Sequence, residues 1–433
     1  MADLLGALTR AVRFPGRVRV LGDAELPARG LLLPDGVEWV GIGPRMVLGA
    51  ACGTALAEAS RGGEVVVLGG AGAFAAAGGL PTALGLSNLT VVAYAEDRTG
   101  VAPSALARRI LGSADEVSWP AVTGATPAPA VAPPAAAWLR RREWPPVQLA
   151  ILPRSGHCPW PHAATLPLGP RLLEACRFLA RHEPALCLAQ DEARWSRCPT
   201  GPGTLMALAQ FASEGRRVVA STTPALLAQS AAELAVISRR GLALKLLCPW
   251  PGTVEGVALP ELTADGALGR WWVQGSADPS EAELILAQLL GHEDPALLLL
   301  GTPGPAPQPA SAYPRTQPWT AGSGRWVAEG DDALVICGGA RTPAALAACA
   351  QLQTHGLAAA VWQCTSLVPL PVVALRDLIG RWRQTHAAGT LLCLDPDGGC
   401  LVRALAAPGF EWALPVATGS AQAVALLRAA CGR

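Results

Sequence analysis

Short apolar runs alternate along the chain with stretches whose apolar positions fit one face of a helix. In the N-terminal part this pattern predicts helices at 46–59 and 73–84 and Val-rich strands at 64–68 and 89–94. Short, fully apolar strands that alternate with helices are typical of a parallel sheet covered on both faces. The pattern therefore predicts a β-α-β unit in this part of the chain.

The same alternation continues in two further blocks. In the second block we expect helices at 171–181, 204–214, 224–239 and 281–290, and strands at 185–189, 217–221, 243–247 and 296–300. In the third block we expect strands at 333–337, 358–363 and 390–394, a turn at 338–339 and a helix at 343–354. Gly215 follows the helix at 204–214 in the position of a C-cap.

Two segments rich in Pro and Ala or Gly, 118–165 and 301–323, separate these blocks. Such composition is typical of linkers or long crossing segments. The sequence therefore predicts three parallel-sheet α/β domains at 1–117, 166–300 and 324–433.

Composition limits the classes of partner and location. Residues 65–95 carry no charge, but their glycines and one proline break the run, which favours a buried β-α-β unit over a membrane span. The formal net charge is +1, without a basic block, so neither nucleic acid nor an anionic membrane surface is expected as a partner. The 12 cysteines form no C-x-x-C pair, and the N-terminus has no apolar signal core. These features favour reduced thiols in a cytoplasmic protein.

Three segments together resemble the transketolase and 1-deoxyxylulose-5-phosphate synthase family of thiamine diphosphate enzymes. GPRMVLGAACGTALAEASRGGEVVVLGGAGAF is similar to the diphosphate-binding domain. RLLEACRFLARHEPALCLAQDEARWSRCPTGPGTLMALAQFASEGRRVVASTT is similar to the pyrimidine-binding domain. EGDDALVICGGARTPAALAACAQLQTHGLAAAVWQCTSLVPLP is similar to the C-terminal domain. The resemblance covers most of the chain, with a shortened first domain, and implies a dimer built through the first two domains.

The resemblance implies that a divalent cation holds the cofactor diphosphate through a Gly-Asp-Gly turn and a following Asn. Here the turn contains Gly69, Gly70 and Gly72, and the Asp position falls on Gly70 or on the alanine after it, neither of which can coordinate a metal. The Asn position is replaced by Glu96 and Asp97, which offer a carboxylate without the turn aspartate. The glycines retain backbone amides that could cradle an anion at a helix N-terminus. We therefore expect these five residues to form a vestigial site without a metal ion.

The resemblance also implies a glutamate that protonates the aminopyrimidine ring of the cofactor. That position falls on Gly201 or Pro202. Glu192 is the candidate substitute, although it lies nine residues too early and also suits a solvated loop. The aromatic residue that would stack on the pyrimidine and the Arg and His that would bind substrate are also missing, at 223–224 and 248–251. We expect no catalytic residue from the family set.

Three other features allow a functional and a structural interpretation. His157, Cys158 and His162 are types that bind zinc, but no second cluster of matching spacing exists, and an ordinary loop is favoured. The 14 tryptophans, among them Trp250 and the pair Trp271-Trp272, suit domain-interface packing or a partner-binding surface. Cys52 and Cys337 are interpreted as core thiols.

Two hypotheses follow. In the first, the chain is a degenerate, non-catalytic transketolase-like subunit or scaffold of a larger assembly, without cofactor, acting as a homodimer or with another protein subunit. In the second, it is a thiamine diphosphate- and Mg²⁺-dependent ketol or acyl transferase with a rebuilt site. The first is favoured because functional positions are lost in both cofactor-binding halves while the fold-forming pattern is kept.

Overall fold

The computed structural model describes residues 18–23, 38–43, 46–59, 61–70, 73–74, 80, 84–86, 88–94, 172, 176, 186–189, 203–214, 217–250, 268–276, 279–301, 324–387, 389–394, 416–417 and 420–431. The chain divides into two units, one formed by Met1–Trp144 with Ala189–Val218 and the other by Pro145–Leu188 with Val219–Arg433. The first unit thus includes 189–218, which the sequence boundaries assign to the second predicted domain.

The first unit contains a four-stranded sheet in which every strand pair is parallel. Its strands are β1 (Val18–Asp23), β2 (Glu38–Ile42), β3 (Glu64–Gly70) and β4 (Leu89–Tyr94), in the order β2-β1-β3-β4. All of β3 except its first residue is buried. A parallel sheet is covered on both faces, which is why β3 consists of apolar residues and glycine after that first position.

Two helices of the first unit pack against each other, α1 (Val47–Ala59) and α2 (Thr204–Ser213). Every residue of α1 except Ala59 is buried, so this helix has no solvent-facing stripe. A Cβ atom on Gly53 of α1 would lie 2.2 Å from the carbonyl oxygen of Ala207 in α2. The two helix backbones therefore approach as closely as they do only because this position is glycine.

The second unit carries the remaining elements. Its strands are β5 (Leu186–Leu188), β6 (Arg217–Ser221, which begins in the first unit), β7 (Leu244–Trp250), β8 (Trp272–Ser276), β9 (Ala296–Gly301), β10 (Gly324–Ala328), β11 (Ala333–Gly338), β12 (Ala359–Cys364), β13 (Ser366–Val368), β14 (Thr390–Leu394) and β15 (Val416–Ala417). Its helices are α3 (Pro224–Gln229), α4 (Ala231–Arg240), α5 (Pro279–Gly291), α6 (Thr342–Thr354), α7 (Val372–Thr385) and α8 (Ser420–Ala430), with a 3-10 turn at Gly339–Arg341 before α6.

These strands form two sheets. The six-stranded sheet has the order β13-β8-β9-β7-β6-β5, and the five-stranded sheet has the order β10-β12-β11-β14-β15. The pairs of β9 with β7 and β8, and of β11 with β12 and β14, are parallel. The edge strands β10 and β13 are antiparallel to their neighbours. Because β13 follows β12 after one residue yet pairs with β8, the chain passes directly from the five-stranded sheet into the six-stranded one.

Helices cover both faces of the five-stranded sheet. Alternate residues of β11 point to opposite faces, as in any strand. Val335 and Cys337 belong to the core formed with α6 and α8. Leu334 and Ile336 belong to the core formed with α7. The apolar sequence of β11 thus reflects burial on both sides.

The predicted α/β fold with mainly parallel sheets is confirmed, whereas the three domain boundaries stay predictions. The helix predicted at 224–239 is interrupted at Ser230, which ends α3 and precedes α4. Sequence reasoning also did not predict several elements, among them β1, β2, β8, β10 and α7. Of the helices in the described ranges, none has the length and apolar character needed to cross a membrane.

Candidate functional site

The first sheet reverses its strand order between β1 and β3. β1 has β2 on one side and β3 on the other, and Gly22 of β1 lies opposite Leu68 of β3. In open parallel sheets, ligands bind at the carboxyl ends of the strands where the order reverses. The carboxyl ends of β1 and β3, near Gly22 and Gly69, therefore mark the place where a cofactor is expected.

The ring of Phe74 packs directly on Gly69. A Cβ atom built on Gly69 would lie 2.5 Å from Phe74 Cε1 and 3.2 Å from Val47 Cγ1. Both Phe74 and Val47 have an exposed fraction of 0%. The Phe74 ring can lie against the strand only because Gly69 has no side chain. The surroundings of Gly69 are therefore apolar.

Gly70 is the last residue of β3 and lies opposite Tyr94, the last residue of β4. The segments that follow β3 and β4 therefore leave the sheet at the same edge. Gly69 and Gly70, which the sequence analysis assigns to a tight turn, are the last two residues of β3 and pair with β4. The other predicted residues of this half, Gly72, Glu96 and Asp97, lie outside the described residues.

The described residues at this strand end do not fit a diphosphate held through a divalent cation. Such a cation takes oxygen ligands, and neither Phe74, Val47 nor Gly69 has a side-chain oxygen. Within the parts of the chain that the structure describes, no three His, Cys, Asp or Glu side chains are grouped so as to hold a metal ion. The candidate zinc residues His157, Cys158 and His162 lie outside those parts.

The other predicted half of the site lies just before α2. Gly201, Pro202 and Glu192 are outside the described residues, which resume at Gly203. Gly203 has a φ of 89°, a left-handed conformation that favours glycine, and precedes the first residue of α2. A Cβ atom on Gly49 of α1 would lie 2.4 Å from the carbonyl oxygen of Gly203. The start of α2 is thus packed against a helix of the same unit.

A buried ion cluster joins the elements of the first unit. The guanidinium of Arg19 lies 2.6 Å from Glu214, 3.2 Å from Glu38 and 3.3 Å from Glu58. Burial lowers the pKa of Arg19, but the three glutamates outweigh it and raise the pKa overall. Arg61 also pairs with Glu58, at 3.1 Å. Because its carboxylates face arginines, the cluster has a structural role at the ends of α1 and α2.

A second buried cluster surrounds Glu281 at the start of α5. Ser276 donates a hydrogen bond to Glu281 Oε2 at 2.8 Å, and Gln363 Nε2 donates to the same carboxylate at 2.7 and 2.9 Å. Arg325 Nη2 lies 3.0 Å from Glu281 Oε1. Residues of β8, β10, β12 and α5 thus meet at one carboxylate. The cluster connects the two sheets of the second unit.

The two cysteines interpreted as core thiols, Cys52 and Cys337, are both buried, so that prediction is confirmed. Burial raises the pKa of the Cys337 thiol to about 12. A thiol with such a pKa is uncharged at neutral pH and is a poor nucleophile. Eight cysteines of the described ranges, Cys52 and Cys337 among them, form no disulfide bond.

The tryptophans named in the sequence divide into two groups. Trp250 and Trp271 are 2% and 1% exposed, and Trp271 Nε1 donates to the Leu234 carbonyl at 3.1 Å. For these two, the hypothesis of a partner-binding surface is wrong, because they lie in the core. Trp272 is half-buried and stacks on His292 with ring centroids 4.6 Å apart.

The structure shows one groove that sequence reasoning missed, between β10 and α7. Trp326, Trp362 and Trp382 line it, and its volume is about 1030 Å³. The signal available in the sequence was the helical spacing of Leu375, Ile379 and Trp382, which form the buried face of α7. Because α7 was not predicted, no neighbour could be assigned to the half-buried Trp326 on β10.

Comparison with known proteins gives matches in structure only. The sequence matches no protein-family model, and it matches no curated protein. A transketolase from Leishmania mexicana is similar with a TM-score of 0.51 and 13% identity, over 83% of this chain and 74% of that one. A mutant transketolase from Pichia stipitis is similar with a TM-score of 0.53 and 12% identity, over 82% of this chain and 74% of that one. A split-gene transketolase described as an inactive β4 tetramer gives a TM-score of 0.46 and 19% identity, over 61% of this chain and 96% of that one. The chain therefore has a transketolase-like fold.

Proposed function

We propose that this chain is a non-catalytic transketolase-like protein that serves as a subunit or scaffold of a larger assembly. The observation that carries the proposal is the apolar strand end at Gly69, where the buried ring of Phe74 lies against the backbone. The next residues along the chain are Gly70, Ala71 and Gly72, none of which has a side-chain oxygen. A cation that bridges protein and diphosphate has no carboxylate to bind in this turn.

The sequence also lacks the expected acid before α2. Neither Gly201 nor Pro202 can protonate an aminopyrimidine ring, and general acid–base catalysis of this kind contributes about 10²–10⁴-fold. Losing the metal ligand as well weakens binding of the cofactor itself, so the two losses act together. Pairing with an intact relative would not restore a shared site, because each site would still include one altered half of this chain.

The proposal includes the kind of assembly and its location. We infer a homodimer or a complex with another protein subunit, with no nucleic acid partner, since the net charge is +1. We also infer a cytoplasmic location, because eight cysteines of the described ranges form no disulfide bond, as is usual in a reducing compartment.

The test is an assay of the purified full chain for ketol transfer and for cofactor-dependent decarboxylation, with thiamine diphosphate and Mg²⁺ present. We expect no turnover above the uncatalysed rate. Four matched double variants, Gly70→Asp or Ala71→Asp each combined with Gly201→Glu or Pro202→Glu, return the two acids in every combination of the possible positions. Turnover by the unmodified protein that is lost on replacing Glu96, Asp97 or Glu192 would show a rebuilt enzyme site and reject the proposal.

A further inference from the structure

The chain contains one lysine, Lys245, and the folded protein buries it. Lys245 is the second residue of β7, which lies between β9 and β6 in the six-stranded sheet. Its exposed fraction is 1%, although lysine is almost never fully buried unless its ammonium group has partners. The single ε-amino group of the chain is therefore shielded from solvent in the folded state.

Two backbone carbonyl groups hold the Lys245 ammonium. Nζ donates a hydrogen bond to the carbonyl oxygen of His292 at 2.8 Å and another to that of Asp294. Both carbonyls lie in the connection 292–295, between the end of α5 and the start of β9. A cation is favourable at this place, because the last carbonyls of a helix lack helical partners. Lys245 thus holds the α5–β9 connection against β7.

Side chains of the same connection contact β8 and the residue before it. The ring of His292 stacks on Trp272, the first residue of β8, with ring centroids 4.6 Å apart. Asp294 Oδ1 lies 3.4 Å from Nη2 of Arg270. Because Nζ is enclosed and both of these acceptors belong to the connection, a reagent reaches Nζ when the connection has moved away from β7.

We propose that Lys245 is an acylation site that reacts only when the α5–β9 connection is open, and that its acylation keeps the connection from closing. The neutral amine attacks the carbonyl carbon of an activated acyl donor, an acid anhydride or a thioester. The new N–C bond forms an amide, the bond to the carboxylate or thiolate leaving group breaks, and the amine releases one proton to water. The inference concerns the second unit and does not rest on the proposed loss of catalysis.

The acylated side chain no longer suits its place in the fold. An ammonium group has three donors and a positive charge, whereas the amide keeps one N–H and has no charge. It therefore loses one of the two hydrogen bonds to the connection, together with the attraction to the helix end. The acyl group also has to fit into a packed interior, and inserting atoms there is destabilising. Because the chain has no other lysine, lysine acylation acts on this fold at one point.

The first experiment compares the rate of acetylation of Lys245 in the folded and in the urea-unfolded full chain. Both are treated with acetic anhydride at about pH 8.5, where part of the amine is neutral, and mass spectrometry quantifies the peptide that contains Lys245. The control variant is Arg239→Lys, which places an amine at an exposed position of α4 without a change of charge. We expect Lys245 to react at least about 10³-fold more slowly in the folded chain, because the rate follows the fraction of open molecules. The lysine introduced by Arg239→Lys should react at about the same rate in both states.

The second experiment tests whether acylation prevents closure. The chain is partly acetylated in urea, the urea is removed, and size-exclusion chromatography separates compact from aggregated chains. Acetylated Lys245 should be about tenfold rarer among the compact chains than in the starting sample, since one or two kcal/mol change the folded fraction that much. Acetylation of Lys245 in the folded chain as fast as that of the introduced lysine would overturn the buried site. Equal acetylation of compact and aggregated chains would overturn the effect on closure.

Discussion

Two buried strands end in different surroundings. The end of β3 at Gly69 is apolar, whereas the end of β8 at Ser276 lies beside the buried carboxylate of Glu281. At Gly69 the residues are apolar, and the ring of Phe74 packs where a side chain would otherwise stand. At Glu281 a buried carboxylate accepts hydrogen bonds from Ser276 and Gln363 and pairs with Arg325. The buried acid Glu281 thus connects structural elements, whereas the side chains nearest to Gly69 are Phe74 and Val47, neither of which is acidic.

The largest effect is expected on removing that acid. Glu281→Ala should lower the free energy of unfolding by about 3–5 kcal/mol, because the mostly buried Arg325 loses its carboxylate and the donors of Ser276 and Gln363 lose their acceptor. Urea denaturation measures the change. The control is Glu329→Ala, at an exposed glutamate just after β10, which should cost less than about 1 kcal/mol. A loss at Glu281 no larger than at Glu329 would mean that the cluster does not connect the sheets.

The next effect concerns the contact of α1 with α2 in the first unit. Gly53→Ala should cost about 3 kcal/mol, at the upper end of the range for overpacking, because the new Cβ meets backbone atoms of Ala207 and Phe211 that cannot rotate away.

Gly380 in α7 provides the matched control, because a Cβ atom there would meet nothing within 4 Å. Gly380→Ala should stabilise the protein by about 0.5–1 kcal/mol through helix propensity. Thermal unfolding followed by circular dichroism compares the two. Equal changes of the unfolding temperature in the same direction for Gly53→Ala and Gly380→Ala would contradict the close approach of α1 and α2.

A smaller effect is expected at the strand end itself. Gly69→Ala should cost about 1–2 kcal/mol, because its Cβ displaces the Phe74 ring, which is a side chain and can adjust. In a Phe74→Leu background the same change should cost less, since the ring is gone. A double-mutant cycle from urea denaturation gives the coupling free energy. Strict additivity would show that Phe74 does not pack on Gly69.

The smallest effect is a pH dependence at His292. Burial, and then the charge of Lys245, lower the pKa of His292 below the ordinary histidine value of about 6.5, with Asp294 acting in the opposite direction. As pH falls, the unfolded chain therefore binds a proton at His292 before the folded protein does. The contribution of neutral His292 to the free energy of unfolding is complete above about pH 6.5 and is lost as pH falls toward the folded pKa. His292→Gln should reduce the loss of stability between pH 7 and pH 5. An unchanged slope would assign the pH dependence to other groups.

Much of the fold was predictable because strands buried on both faces appear in the sequence as short, continuous apolar runs. β9 reads ALLLLG and β11 reads ALVICG, and both lie at or within a residue of their predicted positions. The edge strand β10 was not predicted, because it directly follows the predicted linker. Its sequence, GRWVA, is also too short and irregular to show a clear alternation of polar and apolar residues. The break between α3 and α4 was missed because Ser230 is not a strong helix breaker; tertiary packing decides its conformation.

The site was predictable only in part, for a different physical reason. The missing acids are visible in the sequence at Gly70 or Ala71 and at Gly201 or Pro202, since residue type alone excludes metal coordination or proton transfer. That Phe74 covers Gly69 was not visible, because their contact depends on how the chain leaves β3. The Glu281 cluster was also hidden, because its members are separated by up to 87 residues, from Ser276 to Gln363 (363 − 276 = 87).

Calorimetric titration of the full chain with thiamine diphosphate in the presence of Mg²⁺ tests directly whether the cofactor site has been lost. We expect no saturable heat at ligand concentrations up to about 1 mM, where a site with a binding free energy of only −4.1 kcal/mol would be half filled. Titration of the four variants that combine Gly70→Asp or Ala71→Asp with Gly201→Glu or Pro202→Glu, under the same conditions, shows whether the two acids alone restore binding. Saturable, Mg²⁺-dependent binding of one cofactor per chain by the unmodified protein would contradict the loss of the cofactor site.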